Sequence, residues 1–286
     1  MTSLEVVASG VLTLLQDRGR TGVGHLGVGC SGAADPASYA LANRLVGNRV
    51  GAACLEATLG GLAFRLDATS LVAVTGAPLE VTVGRRTHAV ASSFYVRPGE
   101  QLRLGWPTSG LRTYVAVRGG ILGQSVLGSV AWDTLAQLGT PPLLAGDALQ
   151  VGDAVQAVPS VAMAPLANPA QHIVELPLVL GPRHDWFTDE ALRSLTSSCF
   201  TVTSDTDRVG ARLDGPTLAR CRHDELASEG VVTGAVQVPT VGRPTLMLAD
   251  HPVTGGYPVI GVVPARSLGR ASQVAPGQLV RFHTVG

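Results

Sequence analysis

The sequence predicts a mainly β protein with a few short helices, arranged as two β-rich lobes. The 35 glycines and 18 prolines punctuate short runs of Val, Leu and Thr, the texture of short strands and tight turns. Hydrophobic residues make up 45% of the chain and charged residues 15%, enough for a large core and unlike a disordered chain. A turn glycine followed by alternating apolar residues recurs at Arg97–Leu104, Ala145–Val151 and Ala275–Phe282. This recurrent turn-and-strand pattern favours a β-barrel or β-sandwich fold.

Four individual strands can be predicted. Leu71–Thr75 and Leu79–Val83 form a plausible hairpin, and Tyr114–Val117 and Leu246–Leu248 are typical of buried strands.

Three helices are expected. Asp35 is a good N-cap before Pro36, so the first helix follows and ends near Gly47. The second begins after Thr188, with acidic residues in its first turn. The third is a short segment at Asp224–Ser228.

The uncharged, Ala/Pro-rich stretch 159–172 fits no period and predicts a linker. It would join an N-terminal lobe, 1–158, which contains a glycine-rich loop and the first helix, to a C-terminal lobe, 173–286.

Composition excludes several classes of function. A formal net charge of zero argues against a nucleic-acid partner. No run approaches the roughly 18–20 apolar residues of a membrane span, so no membrane association is expected. Glu5 stands where a signal peptide has its cationic region, so we expect a cytoplasmic location. The four cysteines form no C-x-x-C pair, and no metal site is expected.

All 21 basic residues are arginines, so the chain has no lysine. It therefore cannot carry covalent biotin or supply a P-loop lysine. Any biotin must arrive on another protein.

The first candidate site is residues 16–35, QDRGRTGVGHLGVGCSGAAD, with six glycines. Arg18, with Arg20, could clamp an anion, and the N-terminus of the following helix adds an anion site. The other polar candidates in this stretch are His25, Ser31, Gly32 and Asp35. The alternative is a glycine-rich corner with surface arginines.

The second candidate is residues 248–258, LADHPVTGGYP, where Asp250 precedes His251. A histidine oriented by a carboxylate is the usual proton carrier. Neighbours on a strand point to opposite faces, so the two need not pair. The alternative is a surface or hydrogen-bonding histidine.

The third candidate is residues 204–213, SDTDRVGARL, with Glu229 and Gln237 downstream. Its arginines and Asp207 fit a structural ion-pair corner. Glu229, if buried, would have a raised pKa.

Together these stretches resemble a known family. The matching elements, in order over residues 4–283, are the first candidate stretch with ALANRLVGN, then LEATLGG, YVAVRGG, GPRHDWFTDEAL, SDTDRVGARLDGP, SEGVVTGAVQVP and LADHPVTGGYPVI. The ordered set resembles the allophanate hydrolase subunit 2 family, which also includes biotin-dependent carboxyltransferase domain proteins and the C-type subunit of 5-oxoprolinase. Cys30 and Ala34 depart from the family pattern.

The resemblance implies a cyclophilin-like β-barrel architecture and a subunit 1-type partner, in a heterodimer or heterotetramer that shares the active site. The implied reaction is ATP-dependent opening of 5-oxoproline to glutamate, or biotin-dependent carboxyl transfer. ATP or carboxybiotin would act through the complex on a small-molecule amide substrate. The alternatives are a urea carboxylase or allophanate-pathway subunit, and a non-catalytic regulatory subunit that binds a kinase-inhibitor-like partner.

Within this hypothesis the site residues divide by role. The expected catalytic residues are His25, His251, Asp250 and Glu229. The expected substrate-binding residues are Arg18, Ser31, Gly32, Asp35, Gln237, Thr254, Gly255, Gly256 and Tyr257.

Overall fold

The computed structural model describes residues 2–165 and 172–285. Within them the chain forms 20 strands and three α-helices, in two compact units. The predicted mainly β class with a few short helices is confirmed. None of the helices in these ranges is long and apolar enough to cross a membrane.

The first unit contains two sheets and one helix. Its elements are β1 (Thr2–Ser9), β2 (Leu12–Gln16), α1 (Pro36–Leu45), β3 (Cys54–Thr58), β4 (Leu62–Leu66), β5 (Ser70–Gly76), β6 (Val81–Val83), β7 (Arg86–His88), β8 (Ser92–Val96), β9 (Gln101–Leu104), β10 (Arg112–Val117) and β11 (Ala148–Val151). The six-stranded sheet has the order β11-β1-β4-β9-β6-β7, and the five-stranded sheet has the order β2-β3-β10-β5-β8. Neighbouring strands are antiparallel throughout.

Alternation along β10 explains how the layers pack. Val115 and Val117 join a core shared with apolar residues of the six-stranded sheet. Tyr114 and Ala116 point the other way and pack in a second cluster with Tyr39 of α1. Both faces of β10 are therefore covered, which is why its sequence indicates a buried strand.

The second unit is built on a closed barrel. Its elements are β12 (Ile173–Leu180), α2 (Asp189–Ser197), β13 (Phe200–Val202), β14 (Gly210–Asp214), β15 (Glu229–Gly230), β16 (Ala235–Gln237), β17 (Thr245–Met247), β18 (Thr254–Gly255), β19 (Val259–Val262), α3 (Leu268–Ala271) and β20 (Leu279–Thr284). The barrel order is β12-β19-β16-β17-β14-β13-β20. Only the β12–β20 contact that completes the circle is parallel. Strands β15 and β18 form a separate two-stranded pair.

Two short segments join the second unit from far upstream. They are Thr21–Cys30, which includes a turn of 3₁₀ helix at Gly24–Leu26, and Thr134–Ala136. The sequence predicts two lobes, 1–158 and 173–286, joined by the linker 159–172, and places the whole glycine-rich loop in the first lobe. The structure differs because side chains of the second unit bind these segments, as described below.

The predicted linker 159–172 is only partly described, since residues 166–171 lie outside the described ranges. Its first part pairs with the first unit. The Ser93 N–H donates to the Ala162 carbonyl (2.8 Å), and the Ala164 N–H donates to the Ala91 carbonyl (2.9 Å).

Two local predictions are wrong. The predicted hairpin at residues 71–83 does not form, because β5 belongs to the five-stranded sheet and β6 to the six-stranded sheet. No helix forms at Asp224–Ser228, where only Leu226 packs against the barrel core. One apolar contact does not give a helix a buried stripe.

The first two predicted helices are confirmed. The Asp35 carboxylate accepts the Ser38 N–H at the start of α1 (3.1 Å). The Thr188 hydroxyl accepts the Ala191 N–H at the start of α2 (3.2 Å). Each cap satisfies a first-turn amide that has no partner within its helix.

Replacing Thr188 by Ala is expected to lower the free energy of unfolding by about 1 kcal/mol, because the α2 cap is lost. Thr196→Ala, at the other end of the same helix, is the control and should be close to neutral, since alanine is the better helix former. Urea denaturation followed by circular dichroism measures both. Equal destabilisation by the two changes would contradict the capping role.

Candidate functional site

In the first unit, only one of the two predicted anion-binding arginines is exposed. Arg18 is exposed, and its side chain lies against Gly51, where a Cβ would come 3.3 Å from the Arg18 Cδ. Arg20 is 2% exposed and donates to the carbonyls of Val126 and Ala131. Arg20 therefore braces the backbone, and Arg18 is the side chain that a ligand can reach.

Ser31 and Gly32 form a tight backbone corner. Ser31 has a φ of 53°, uncommon for a residue with a side chain, and its hydroxyl donates to the Trp132 carbonyl (3.2 Å). A Cβ on Gly32 would lie 2.6 Å from the Gly19 nitrogen, so only glycine fits there. Both residues shape the loop beside Arg18.

The Asp35 carboxylate is engaged as a helix cap. It accepts the Ser38 N–H and, at 2.7 Å, the Ser38 hydroxyl. The anion site predicted at this helix N-terminus is thus filled by a side chain of the protein itself. The Asp35 N–H in turn donates to the Tyr114 hydroxyl (2.7 Å).

Glu56 anchors the same junction from within the core, a role that the sequence did not reveal. It is fully buried and accepts from the Tyr114 hydroxyl (2.7 Å) and the Ala34 N–H (2.9 Å), while the Arg112 Nε lies 3.7 Å away. Burial beside Glu56 raises the pKa of Tyr114 well above its ordinary value. Tyr114 therefore stays protonated and donates to Glu56.

In the second unit, Asp250 is a buried anchor. It is 1% exposed and accepts from Arg208 through two bonds, from Nε (2.8 Å) and Nη2 (3.0 Å). The N–H and hydroxyl of Thr134 also donate to Asp250, at 3.0 and 2.8 Å. The two bonds from Thr134 link residues 134–136 to the second unit, and the Arg208–Asp250 ion pair spans 42 positions of sequence.

His251 is held by other partners. Its Nδ1 lies 2.8 Å from the Pro252 carbonyl, and its Nε2 lies 3.1 Å from the Thr233 hydroxyl. A carbonyl oxygen only accepts, so we assign the proton to Nδ1, and Nε2 then accepts from Thr233. Both ring nitrogens of His251 therefore have partners other than the neighbouring Asp250 carboxylate. The role predicted for Asp250 in orienting a catalytic histidine stays a prediction.

The glycine-rich segment meets the loop after His251 within this unit. A Cβ on Gly24 would lie 3.6 Å from Cγ1 of Val253. The neighbouring His25 is exposed, with Nδ1 at 3.1 Å from the Gly22 carbonyl. His25 thus presents its Nε2 to solvent, whereas both ring nitrogens of His251 are engaged.

Glu229 is 30% exposed at its side chain and is ion-paired with Arg183, whose Nε lies 2.9 Å from Oε1. The Arg183 guanidinium lowers the pKa of Glu229 below its ordinary value. The raised pKa predicted for a buried Glu229 does not apply, because the side chain is partly exposed and has a cationic partner. Glu229 is ionised at neutral pH and cannot serve as a general acid there.

Gln237 lies under the loop that follows β18. It is 3% exposed, and its Nε2 donates to the Tyr257 carbonyl (3.3 Å). A Cβ on Gly255 would lie 2.6 Å from that Nε2, so glycine lets the backbone approach the amide. Thr254, Gly256 and Tyr257 are exposed along this loop.

Three groups in this region make no hydrogen bond to another described residue: the Oε1 of Gln237 in β16 and the N–H groups of Gly256 and Tyr257 in the loop. One acceptor and two donors are the complement of an amide group. The barrel unit therefore brings together Glu229, Gln237 and residues 254–257. Arg183, which pairs with Glu229, was not predicted as part of the site.

Comparison with known proteins then identifies the family. A family model described as carboxyltransferase domain, subdomain A and B, matches residues 26–284. The chain belongs to this family. Within this carboxyltransferase domain family, it is 31% identical over 282 residues to the C-type subunit of 5-oxoprolinase from Escherichia coli, covering 98% of this chain and 90% of that protein.

Two solved structures are also similar. The Kluyveromyces lactis urea amidolyase matches with a TM-score of 0.93 at 28% identity, and TTHA0988 with a TM-score of 0.90 at 35% identity. Each match covers 99% of this chain. The chain spans 19% of the urea amidolyase and 56% of TTHA0988.

Asp250→Asn is expected to destabilise the second unit by about 3–5 kcal/mol, because it leaves the Arg208 charge buried without its counter-ion. The matched control is Asp207→Asn at an exposed position, where the amide oxygen can still accept the Val209 N–H. Denaturant unfolding measures both. Asp250→Asn unfolding like the control would refute the anchoring role.

The carboxyl of Glu229 should titrate below about 4.3, the ordinary value for glutamate. Because the folded-state pKa is depressed, the ion pair stabilises the fold above that ordinary value and is lost as pH falls through the folded-state pKa. Carbon-detected NMR titration measures the pKa of the Glu229 carboxyl. In the variant Arg183→Gln this pKa should return to the ordinary value for glutamate. A midpoint above 4.3 in the unchanged protein would be the contrary result.

Proposed function

We propose that this chain is a subunit of a heteromeric enzyme of the 5-oxoprolinase type, acting on a cyclic amide with a partner protein that completes the active site. The observation that carries the proposal is the match to the C-type subunit of the Escherichia coli 5-oxoprolinase, which extends over 90% of that protein. The corresponding 5-oxoprolinase protein of Haemophilus influenzae is 30% identical over 87% of its length.

The barrel loop supports the same chemistry. The N–H groups of Gly256 and Tyr257 would donate to the lactam carbonyl oxygen, whose negative charge grows as water attacks. The Gln237 Oε1 would accept the ring N–H. Together, these three groups would recognise the amide, and the two N–H groups would stabilise the developing oxyanion.

Proton transfer is assigned to His25. Opening the lactam breaks the ring C–N bond, water supplies the new carboxylate oxygen, and the leaving nitrogen takes up a proton. His25 has an accessible Nε2 and would deliver that proton, whereas His251 would hold the loop through Pro252 and Thr233. Arg18, in the first unit, would contact an anionic group brought by the partner.

This chain offers neither a biotin attachment site nor a standard phosphate-binding loop for ATP. The chain has no lysine, so biotin cannot be attached to it, and its glycine-rich segment matches no phosphate-binding loop. We propose that either group is held by another subunit.

Carboxyl transfer to urea is the second candidate. It is favoured by the TM-score of 0.93 against the urea amidolyase of Kluyveromyces lactis. The loop of residues 254–257, which we call the amide-binding loop, would then hold urea together with Gln237. Carboxybiotin would arrive on a different protein.

The test uses the chain purified with its partner subunit. ATP-dependent glutamate release from 5-oxoproline should be observed, and His25→Gln should lower turnover by about 10²–10⁴-fold because the proton donor is lost. His223→Gln, at another exposed histidine of the barrel unit, is the control and should leave turnover unchanged.

Other outcomes separate the alternatives. Carboxylation of urea in the presence of a biotin carboxylase, with no glutamate release, would replace the lactamase proposal by the carboxyltransferase one. A stable complex without turnover on either substrate would refute an enzymatic role and favour a regulatory subunit.

A further inference from the structure

Arg220 stands beside the amide-binding loop without an acidic partner. Its Nη2 donates to the Val238 carbonyl, and no carboxylate of the described residues lies within ion-pair distance. Three other arginines of the barrel unit do have acidic partners: Arg183 pairs with Glu229, Arg208 with Asp250 and Arg222 with Asp185. The charge of Arg220 alone is left uncompensated among these four.

The burial of Arg220 makes this unusual. The side chain is half-buried, and its Nε is fully buried without an acceptor among the described residues. Burial lowers the pKa of Arg220 from its ordinary value. The guanidinium still remains protonated at neutral pH, because the ordinary pKa of arginine lies far above neutrality. A desolvated cation without a counter-ion gains most from an anion supplied from outside.

Backbone contacts tie Arg220 to the site. Val238, which receives its Nη2 bond, follows Gln237 directly, and the Val238 N–H donates to the Pro258 carbonyl (3.1 Å) at the end of the amide-binding loop. The Arg220 guanidinium therefore contacts the residue that follows Gln237, which is itself bonded to the end of the amide-binding loop.

We propose that Arg220 binds a carboxylate of the substrate, so that the site selects an amide bearing a carboxylate over a neutral amide. This inference rests on the proposed function and narrows its substrate class. The Arg220 Nη1 makes no hydrogen bond to described residues and is available to a carboxylate oxygen. 5-Oxoproline and N-carboxylated urea both belong to this class, whereas urea itself does not.

Binding measurements on the chain assembled with its partner test the inference with two ligand pairs. 5-Oxoproline is compared with 2-pyrrolidinone, and allophanate with urea, so that each pair differs by one carboxylate. Measured by calorimetry, the affinity for the carboxylated member of each pair should be about 10–100-fold higher, which is the range expected for a charge-assisted hydrogen bond. Arg220→Gln should bring that ratio close to one, and Arg220→Lys should retain part of it.

Arg222→Gln is the matched control, since Arg222 is exposed and paired with Asp185. In this variant the ratio of affinities for the carboxylated and the neutral ligand should not change. A structural role for Arg220 would weaken both members of a pair equally and leave the ratio unchanged, which would overturn the inference. Absence of any preference in the unchanged protein would overturn it as well.

Failure of the proposed function gives a different pattern. If the complex opens no lactam but prefers allophanate to urea, and Arg220→Gln abolishes that preference, the carboxylate site stands and the 5-oxoprolinase proposal falls. If Arg220→Gln opens 5-oxoproline with an unchanged KM, the proposed function stands and the carboxylate site falls.

Discussion

The buried ion pair between Arg208 and Asp250 is the constraint on which the barrel site depends. Two charges taken out of water are tolerated only when their hydrogen bonds are satisfied, and here Asp250 receives two bonds from Arg208 and two from Thr134. Asp250 directly precedes the loop that begins at His251. Fixing the carboxylate therefore fixes the start of that loop.

The other end of the loop is fixed by neutral groups. Gln237 holds the Tyr257 carbonyl, and Val238 holds the Pro258 carbonyl. Between the two ends, Gly255 lets the backbone approach the Gln237 amide. A loop tied at both ends holds the N–H groups of Gly256 and Tyr257 in a preset geometry. Under the proposed function, this would lower the reorganisation needed when charge develops on a bound carbonyl.

Local patterns predicted local structure well. The three repeated corners all place a glycine before a strand, and in each the residue after the glycine bonds back to the start of the turn. The Glu100 carboxylate accepts the Arg97 N–H, Asp147 accepts the Leu144 N–H, and the Gln278 amide oxygen accepts the Ala275 N–H (3.2 Å). Turns and helix caps involve residues three positions apart, so one short window of sequence contains both partners.

Prediction of the site was less complete, because the partners there are distant in sequence. A buried Glu229 would have a raised pKa, yet its side chain is partly exposed and Arg183, 46 positions upstream, keeps it ionised. Thr233 and Arg220 carry no motif that marks them. Both lie outside the barrel strands, and their positions beside His251 and Val238 follow from tertiary contacts of the connecting segments, which strand alternation does not give.

The sequence by itself determined the mainly β class, the capped helices α1 and α2, the repeated turns and the family, since these depend on neighbouring residues or on ordered motifs. Only the tertiary structure decided which charges pair, which histidine keeps an accessible nitrogen, and that residues 21–30 and 134–136 belong to the second unit. The physical reason is that each of these outcomes depends on contacts between residues far apart in the chain, made when the barrel closes.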